Sequence, residues 1–451
     1  MRMEEYLSTV TEQIRCTKAR EMVVGELRDH ILDQAKAYEE EGLFEEEAME
    51  QAVRDMGDPV ETGVSLDRIH RPQIEVGILV MIGLISFVSI ALHVVLSDYS
   101  QETDSAFYGG YLGKHVMHVV LGYAAMLLVY RLDYSILSRF AKPLAAAFLV
   151  LALIGSRVFG IEVNGARLYI QIGPMWFFMP ALMPLYVPLF CGIMYSYRGE
   201  GWKGMGKILL WAFIPVWITF HIPAFSQGVV LWAALLMVMA MAVYRGWYQV
   251  RRSAALAGLG ALFVLPPLLF LGAGALGHLA SYQMARIQAF LTNDLDSNYL
   301  AIQMREALAG SRLAGGNTET ITKLVEYPGF NNDYIFVSLI SSCGFAAGAL
   351  AAALMCFLIL KVFRVSFGQK NQLGMILGCG CGSVYLLQMG ISIGMNLGLL
   401  PTTAAILPFF SFGGTGLLVS YILLGLVLSI YRYKNILSEK PQKKRIRSVS
   451  S

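Results

Sequence analysis

The chain has 451 residues, of which 56% are hydrophobic and only 15% are charged, and its formal net charge is +3. A water-soluble protein of this length needs many more charged residues on its surface, so the composition excludes a soluble globular protein and places the chain in a lipid bilayer. The net charge itself says little about partners, because the distribution of charge matters more than its sum, and no nucleic-acid partner is expected. The pair Cys379 and Cys381 has no flanking histidine or second cysteine pair. Buried small residues are therefore a better interpretation of this pair than a metal site.

The first 70 residues are densely charged, unlike the rest of the chain. Apolar residues such as Val23, Leu27 and Ile31 recur there at helical spacing, and Gly42 and Gly57 interrupt the pattern. Three or four short helices are therefore predicted. The stretch EEEGLFEEEAMEQAVRDMGDP resembles the prefix domains found ahead of some bacterial permeases and sensors. We interpret residues 1–70 as a cytoplasmic helical domain of this kind.

Beyond Pro72 the sequence is a succession of apolar runs, each long enough to cross the ~30 Å hydrocarbon core of a bilayer as a helix. The predicted fold class is all-α, a polytopic membrane protein with about ten transmembrane helices. These helices occupy residues 74–432, and a basic cytoplasmic tail follows at 433–451. The predicted spans are 74–97, 114–131, 142–159, 176–197, 207–222, 228–245, 253–276, 334–361, 373–397 and 403–431.

The distribution of Lys and Arg predicts the orientation of these spans. If residues 1–70 lie in the cytoplasm, every alternate loop carries an excess of positive charge. The first outer loop carries instead Asp98, Glu102 and Asp104, and has no Lys or Arg before Lys114. This is the positive-inside bias of multi-pass proteins of the cell membrane. We therefore expect both termini in the cytoplasm and the loop 277–333 outside.

The loop 277–333 is far longer than ordinary connections between helices, and such loops are usually functional. Asp294 and Asp296 lie in a turn-rich stretch of it, with Arg286 upstream and Arg305 downstream. A carboxylate beside cationic side chains can take a proton from a sugar hydroxyl while the arginines hold a pyrophosphate leaving group. A turn with solvated charges explains the same pattern. The residues alone leave both interpretations open.

The run GLLPTTAAILPFFSFGGTGLL at 398–418 closely resembles the last-helix signature of the SEDS family, the shape, elongation, division and sporulation proteins that include RodA and FtsW. The positions that match are Pro401, Thr402, Pro408, Phe409, Ser411, Gly413 and Gly414. The stretches YQMARIQAFL and NDYIF resemble the two ends of the family's large outer loop, and the motif NGAR at 164–167 resembles another outer-loop motif. The resemblance extends from residue 74 to about 432.

The resemblance implies a peptidoglycan glycosyltransferase. SEDS proteins polymerise lipid II, an undecaprenyl-pyrophosphate-linked disaccharide: the 4-hydroxyl of one disaccharide attacks the anomeric carbon of another and expels undecaprenyl pyrophosphate. Matching the family pattern puts Asp296 on the position of the general base, and Asp294 is the alternative because two residues are missing just after this point. The substrate-binding positions that the resemblance implies are Arg286, Gln303, Asp333, Arg167, Ser411, Gly413 and Gly414. Lipid II, membrane lipids and a class B penicillin-binding protein are the implied partners. No metal ligands are predicted, and a divalent cation is the cofactor left open.

Two departures from the family pattern indicate either a divergent enzyme or a protein that has lost the activity. The stretch GPMWFFMPALMPL keeps Pro180 but lacks the Glu and Lys found there in the family, and Ser341 and Ser342 replace a pair of acids before Gly344. The alternative is a catalytically degenerate scaffold, or a binder or flippase of lipid-linked precursors in cell-wall synthesis. Transport ranks last, because few charged pairs fall inside the predicted helices.

Overall fold

The computed structural model describes residues 1–102, 110–163, 166–173, 175–221, 224–277, 299–326 and 329–436. The chain forms two compact units. The first contains residues 1–74 and the stretch that begins at Tyr431, and the second, the membrane unit, begins at Glu75 and runs to Ile430.

Residues 1–74 contain four helices, and their limits follow from the local sequence. Asp58 caps the fourth helix by accepting a 2.9 Å hydrogen bond from the Val60 N–H, and Pro59 occupies the first helical position, where its missing N–H has no cost. The hydroxyl of the fully buried Tyr6 donates to the carbonyl oxygen of Met56 at 3.0 Å, which ties the first helix to the end of the third. The helices are α1 (Met3–Gln13), α2 (Thr17–Glu40), α3 (Glu45–Asp55) and α4 (Pro59–His70).

The described part of the membrane unit contains ten helical segments that are long and apolar enough to cross a membrane, which confirms the predicted all-α polytopic fold. A small three-stranded sheet and shorter helices lie between them. The elements are α5 (Val76–Glu102), α6 (Tyr111–Arg131), α7 (Ile136–Val158), β1 (Gly160–Val163), β2 (Ala166–Ile172), β3 (Met175–Phe178), α8 (Met179–Leu182), a 3-10 turn (Met183–Leu185), α9 (Tyr186–Ser196), α10 (Trp202–His221), α11 (Phe225–Tyr244), α12 (Arg252–Ala275), α13 (Tyr299–Ala309), α14 (Thr318–Val325), α15 (Ile335–Cys343), α16 (Phe345–Phe367), α17 (Gln372–Asn396) and α18 (Gly414–Arg432).

The last helix begins eleven residues later than the predicted span 403–431, because α18 starts only at Gly414. Proline has no N–H to donate and clashes with the preceding turn, so Pro408 disfavours a helix through this stretch. The backbone there finds other partners: the carbonyl oxygen of Ala404 accepts from the side chains of Ser226 at 3.2 Å and Gln227 at 3.1 Å. The start of the predicted span is therefore wrong, and residues 401–413 form a non-helical segment inside the bundle.

The predicted span 334–361 is divided at Gly344, which has a φ of 98° and separates α15 from α16. A neighbouring stretch of chain satisfies the backbone groups that the break exposes. The carbonyl oxygen of Cys343 accepts from Gly315 N at 3.1 Å, and the N–H groups of Phe345 and Ala346 donate to the carbonyls at 312 and 313 at 3.0 and 2.9 Å. The break is thus held by backbone hydrogen bonds, as a buried interruption of a helix requires.

Three strands between residues 160 and 178 form an antiparallel sheet in the order β1–β2–β3, which was not predicted from the sequence. The predicted span 176–197 accordingly begins too early, because residues up to Phe178 belong to β3. The strands have four to seven residues each. Antiparallel strands can be joined by short connections, so this sheet needs no long crossover. The sheet lies between α7 and α8, on the side of the membrane that the charge pattern predicts to be outside.

Candidate active site

The segment 407–413 turns sharply before α18 and is fixed by its own residues. Phe409 has a left-handed φ of 67°, which is rare for a bulky residue. The Oγ of the buried Ser411 accepts a 2.9 Å hydrogen bond from the Leu407 N–H, which closes the turn. Gly413 has a φ of 152°, and no atom lies within 4 Å of the place where a Cβ would stand. We call residues 407–413 the site turn.

Two hydrogen bonds join the site turn to the stretch that precedes α15. The hydroxyl of Ser411 donates to the carbonyl oxygen of Asn332 at 2.8 Å, and the Phe412 N–H donates to the carbonyl oxygen of Asn331 at 2.8 Å. Each such bond contributes about 0.5–1.5 kcal/mol, whereas leaving one partner buried and unpaired costs about 1–3 kcal/mol. The two chain segments therefore hold each other in one arrangement.

Asn396, fully buried at the end of α17, fixes the other side of the same stretch. Its amide nitrogen donates to the carbonyl oxygens of Asp333 at 2.9 Å and Ser392 at 2.8 Å, and its amide oxygen accepts from the Val337 N–H at 3.0 Å. The backbone of Asp333 is thus held between α17 and the site turn.

The sheet β1–β2–β3 also contacts the start of α18, next to the site turn. The Phe178 N–H at the end of β3 donates to the Oγ1 of Thr415, in the first turn of α18, at 3.0 Å. Burial and the negative charge of the nearby Asp333 carboxylate raise the pKa of Tyr169, on β2, above its ordinary value. The sheet, the site turn and Asp333 therefore border one region.

Four of the predicted site residues come together in this region, namely Asp333, Ser411, Gly413 and Gly414. A Cβ at Gly414 would lie 2.7 Å from the Nε2 of His118, so a larger residue there requires the imidazole ring to move. In the described part of the region, many backbone N–H and C=O groups have hydrogen-bond partners. Among the predicted residues found there, Asp333 provides the one carboxylate. Such an arrangement can position a ligand rigidly.

The other predicted residues are placed differently. Gln303 lies half-buried on α13, and the exposed Arg167 on β2 donates through Nη1 to the carbonyl oxygen of Arg157 at 2.9 Å, which braces the sheet against α7. Asp294, Asp296 and Arg286 lie outside the described residues. Arg305, downstream of them, lies beside Gly398, with its Nε 3.6 Å from the place of a Cβ at that glycine.

Ser341 and Ser342, which stand where acids were expected from the resemblance, are both buried on α15. The Ser342 hydroxyl donates to the carbonyl oxygen of Ser338 at 2.6 Å, within its own helix. This position is therefore satisfied locally and contributes no charge to the site. In the part of the chain that the structure describes, no group of three or more His, Cys, Asp or Glu is arranged to hold a metal ion.

Asn396 and Asn331 also fix the site, and neither was among the site residues predicted from the sequence. Asn396 had a usable signal, because a polar side chain within an apolar span is expensive unless it has a role. Asn331 had no such signal, because it contributes its backbone carbonyl oxygen, which any residue could supply.

The comparisons with known proteins agree with this architecture. The profile of the cell cycle protein family of FtsW, RodA and SpoVE matches residues 72–436. A probable peptidoglycan glycosyltransferase FtsW of Idiomarina loihiensis is 27% identical over 343 residues, which cover 72% of this chain and 79% of that protein. The stage V sporulation protein E of Bacillus subtilis is 26% identical over 371 residues, or 79% of this chain and 94% of that protein.

Solved structures show the same fold. A chain from a peptidoglycan synthase complex, described for its coordination of polymerization and crosslinking, superposes with a TM-score of 0.64 at 21% identity, covering 80% of this chain and 98% of that one. The rod shape determining protein RodA of Thermus thermophilus superposes with a TM-score of 0.57 at 20% identity, covering 80% of this chain and 97% of that one.

Proposed function

Because this chain belongs to the cell cycle protein family of FtsW, RodA and SpoVE, we propose that it is a multi-pass bacterial membrane glycosyltransferase that polymerises lipid II into peptidoglycan glycan strands. The main support for the proposal is the family match, which extends over the whole membrane unit. The site turn supports it, because the residues of the last-helix signature lie against the Asn331–Asp333 stretch in a single hydrogen-bonded arrangement.

In the proposed reaction Asp296 acts as the general base. Its carboxylate takes the proton from the 4-hydroxyl of one disaccharide while that oxygen forms a bond to the anomeric carbon of the next. The bond from the anomeric carbon to the pyrophosphate oxygen breaks, and undecaprenyl pyrophosphate leaves with the electron pair. Arg286 stabilises the charge of the leaving pyrophosphate. The Asp333 stretch and the site turn position the sugars.

The proposal places both termini in the cytoplasm and the site outside, where lipid II is polymerised. It also includes a class B penicillin-binding protein as partner. The similarity to a chain of a peptidoglycan synthase complex supports this partner, since that complex coordinates polymerization with crosslinking.

Substitution of the loop aspartates tests the proposal. We expect purified Asp296→Asn protein to polymerise lipid II on the order of 10²- to 10⁴-fold more slowly than wild type, because the base is lost, and Asp294→Asn protein to retain most of its rate. Gel separation of the glycan product measures both. Asp98→Asn is the matched control, since it removes another acid of the outer side. Polymer formed at the wild-type rate by the Asp294→Asn, Asp296→Asn double variant contradicts the assignment.

A non-enzymatic scaffold in cell-wall synthesis is the second candidate. The observation that favours it is the pair Ser341 and Ser342, which leaves that part of α15 without ionisable groups. A scaffold predicts that the wild-type protein forms no polymer and that a co-purified penicillin-binding partner is retained by the double aspartate variant. It also predicts that partner retention is lost on deletion of residues 1–70 or of the loop.

A further inference from the structure

Three aromatic side chains share one face of the outer sheet. Tyr169 is directly opposite Phe178, and Trp176 is opposite Gln171, two residues further along β2. Paired residues, and residues two apart on one strand, point to the same face of a sheet. The ring centroid of Tyr169 lies 5.2 Å from that of Phe178 and 6.0 Å from that of Trp176. We call these three side chains the aromatic face.

The three rings differ in exposure. Tyr169 and Phe178 are half-buried, whereas the side chain of Trp176 keeps 53% of its surface exposed. Tyr169 packs beside both other rings, and the indole of Trp176 keeps much of its apolar surface open to a ligand.

The aromatic face lies beside the candidate active site. The Phe178 N–H is bonded to Thr415 Oγ1 at 3.0 Å, and Ser411, four residues earlier, is bonded to the Asn332 carbonyl at 2.8 Å. Both the sheet and the Asp333 stretch are thus attached to the chain between Ser411 and Thr415. The influence of the Asp333 carboxylate on Tyr169 agrees with this closeness.

We propose that the aromatic face, with Trp176 as its exposed ring, is a stacking site for a sugar ring of the lipid-linked disaccharide. A pyranose ring has an apolar face of C–H groups, which packs on the negative face of an aromatic ring. Its hydroxyl groups project from the edge and need hydrogen-bond acceptors such as the neighbouring Asp333 carboxylate. An aromatic plane beside a carboxylate meets both requirements. The inference rests on the proposed function and names the residue that orients its substrate.

The same sheet provides a matched control. Ile172 follows Gln171 on β2, so its side chain points to the opposite face, and it is 65% exposed. Replacing Ile172 removes an exposed apolar side chain from the same strand pair without touching the aromatic face. A general role of the sheet in stability or in contact with membrane lipid affects Trp176 and Ile172 alike, whereas sugar stacking affects Trp176 alone.

The test measures binding and polymerisation by the full-length protein in lipid nanodiscs. The probes are lipid II and undecaprenyl pyrophosphate, which lacks the sugars. We expect Trp176→Ala to weaken lipid II binding roughly three- to tenfold, the range of a lost aromatic contact. It should leave undecaprenyl pyrophosphate binding unchanged and raise KM with little change in kcat. Trp176→Tyr, which keeps a ring, should bind lipid II within about twofold of wild type, as should Ile172→Ala.

Three outcomes overturn the inference: full affinity of Trp176→Ala for lipid II, an equal loss of affinity in Ile172→Ala, or an equal loss with undecaprenyl pyrophosphate, which indicates lipid contact instead. If wild-type protein binds lipid II through Trp176 but forms no polymer, the stacking site stands and the proposed function fails. If wild-type and Trp176→Ala proteins polymerise and bind equally, the proposed function stands and the stacking site fails.

Discussion

Phe409 is held in a conformation that costs energy, and its neighbours have to compensate. A bulky side chain at a φ of 67° costs on the order of 1–3 kcal/mol. Its ring packs against the rings of Tyr385 and Tyr421, with centroids 5.6 and 5.2 Å away. The next residue is fixed as well, because Nε2 of the fully buried His93 lies 2.9 Å from the Phe410 carbonyl oxygen and has to donate to it. The strain at the site turn is thus stabilised by a side chain from α5.

His93→Phe should loosen the site turn. The change keeps an aromatic ring but leaves the buried Phe410 carbonyl without its donor, at a cost of about 1–3 kcal/mol. We expect a lower melting temperature and faster hydrogen exchange in peptides that cover residues 403–413. His93→Gln, whose amide nitrogen reaches about as far as Nε2, should restore most of the protection.

A matched control for His93→Phe separates local from general destabilisation. The buried Ser429 hydroxyl donates to the carbonyl oxygen of Leu132 at 2.6 Å, a bond of the same kind between other helices. Ser429→Ala should lower the melting temperature without changing exchange at 403–413. Equal exchange at 403–413 in both variants contradicts the role given to His93.

The predicted site residues differ in how much of their environment the sequence determines. Ser411, Gly413 and Gly414 lie in a short run whose spacing identifies a family, so their grouping was predictable, and it is found at the site turn and the first residue of α18. Their connection to Asn331 and Asn332 was not, because it runs through backbone carbonyls that any residue supplies. A sequence motif identifies side chains, whereas much of this site is held together by backbone hydrogen bonds.

At the scale of elements, apolar runs predicted which stretches cross the membrane but not where helices begin or break. The hydrophobicity of a window of about twenty residues changes little when one of them is a glycine or a proline. It therefore does not reveal the helix break at Gly344 or the helix-disfavouring Pro408. The sheet at 160–178 was missed for a related reason. Its strands have four to seven residues, and their aromatic and aliphatic side chains extend the apolar runs on either side.

Gly344→Ala tests the break between α15 and α16. The residue has a φ of 98°, and a Cβ would lie 2.8 Å from both the Leu313 carbonyl oxygen and the Ala314 Cα, which are backbone atoms and cannot swing aside. We expect the variant to lose roughly 2 kcal/mol or more of stability, since both strain and close contact oppose it. Thermal unfolding in detergent measures the loss.

Gly390→Ala is the control for Gly344→Ala. Gly390 lies within α17, and no atom is within 4 Å of its Cβ position. Alanine is favoured over glycine in a helix by about 0.5–1 kcal/mol, so this variant should be as stable as wild type or more so. A Gly344→Ala protein as stable as Gly390→Ala contradicts the account of the break.

At the scale of the whole molecule, the orientation in the membrane decides whether the site meets its substrate. Ten helical segments of membrane-spanning length lie in the described residues. An even number of crossings returns the chain to the side from which it started. The positive charges of the alternate loops then predict that both termini lie in the cytoplasm and that the sheet β1–β2–β3 lies outside.

Single cysteines test this orientation. Ser8→Cys, on α1, and Gln171→Cys, on β2, each place a thiol at an exposed position. A membrane-impermeant maleimide added to intact cells should label Gln171→Cys above the wild-type background and leave Ser8→Cys at that background. After permeabilisation both should react, which shows that each thiol is accessible. The native Cys191, Cys379 and Cys381 are buried, whereas Cys356 is exposed and Cys16 and Cys343 are half-buried, so each variant is compared with wild-type protein labelled in the same way. Labelling of Ser8→Cys in intact cells reverses the predicted orientation, and it then removes the site from the side on which lipid II is polymerised.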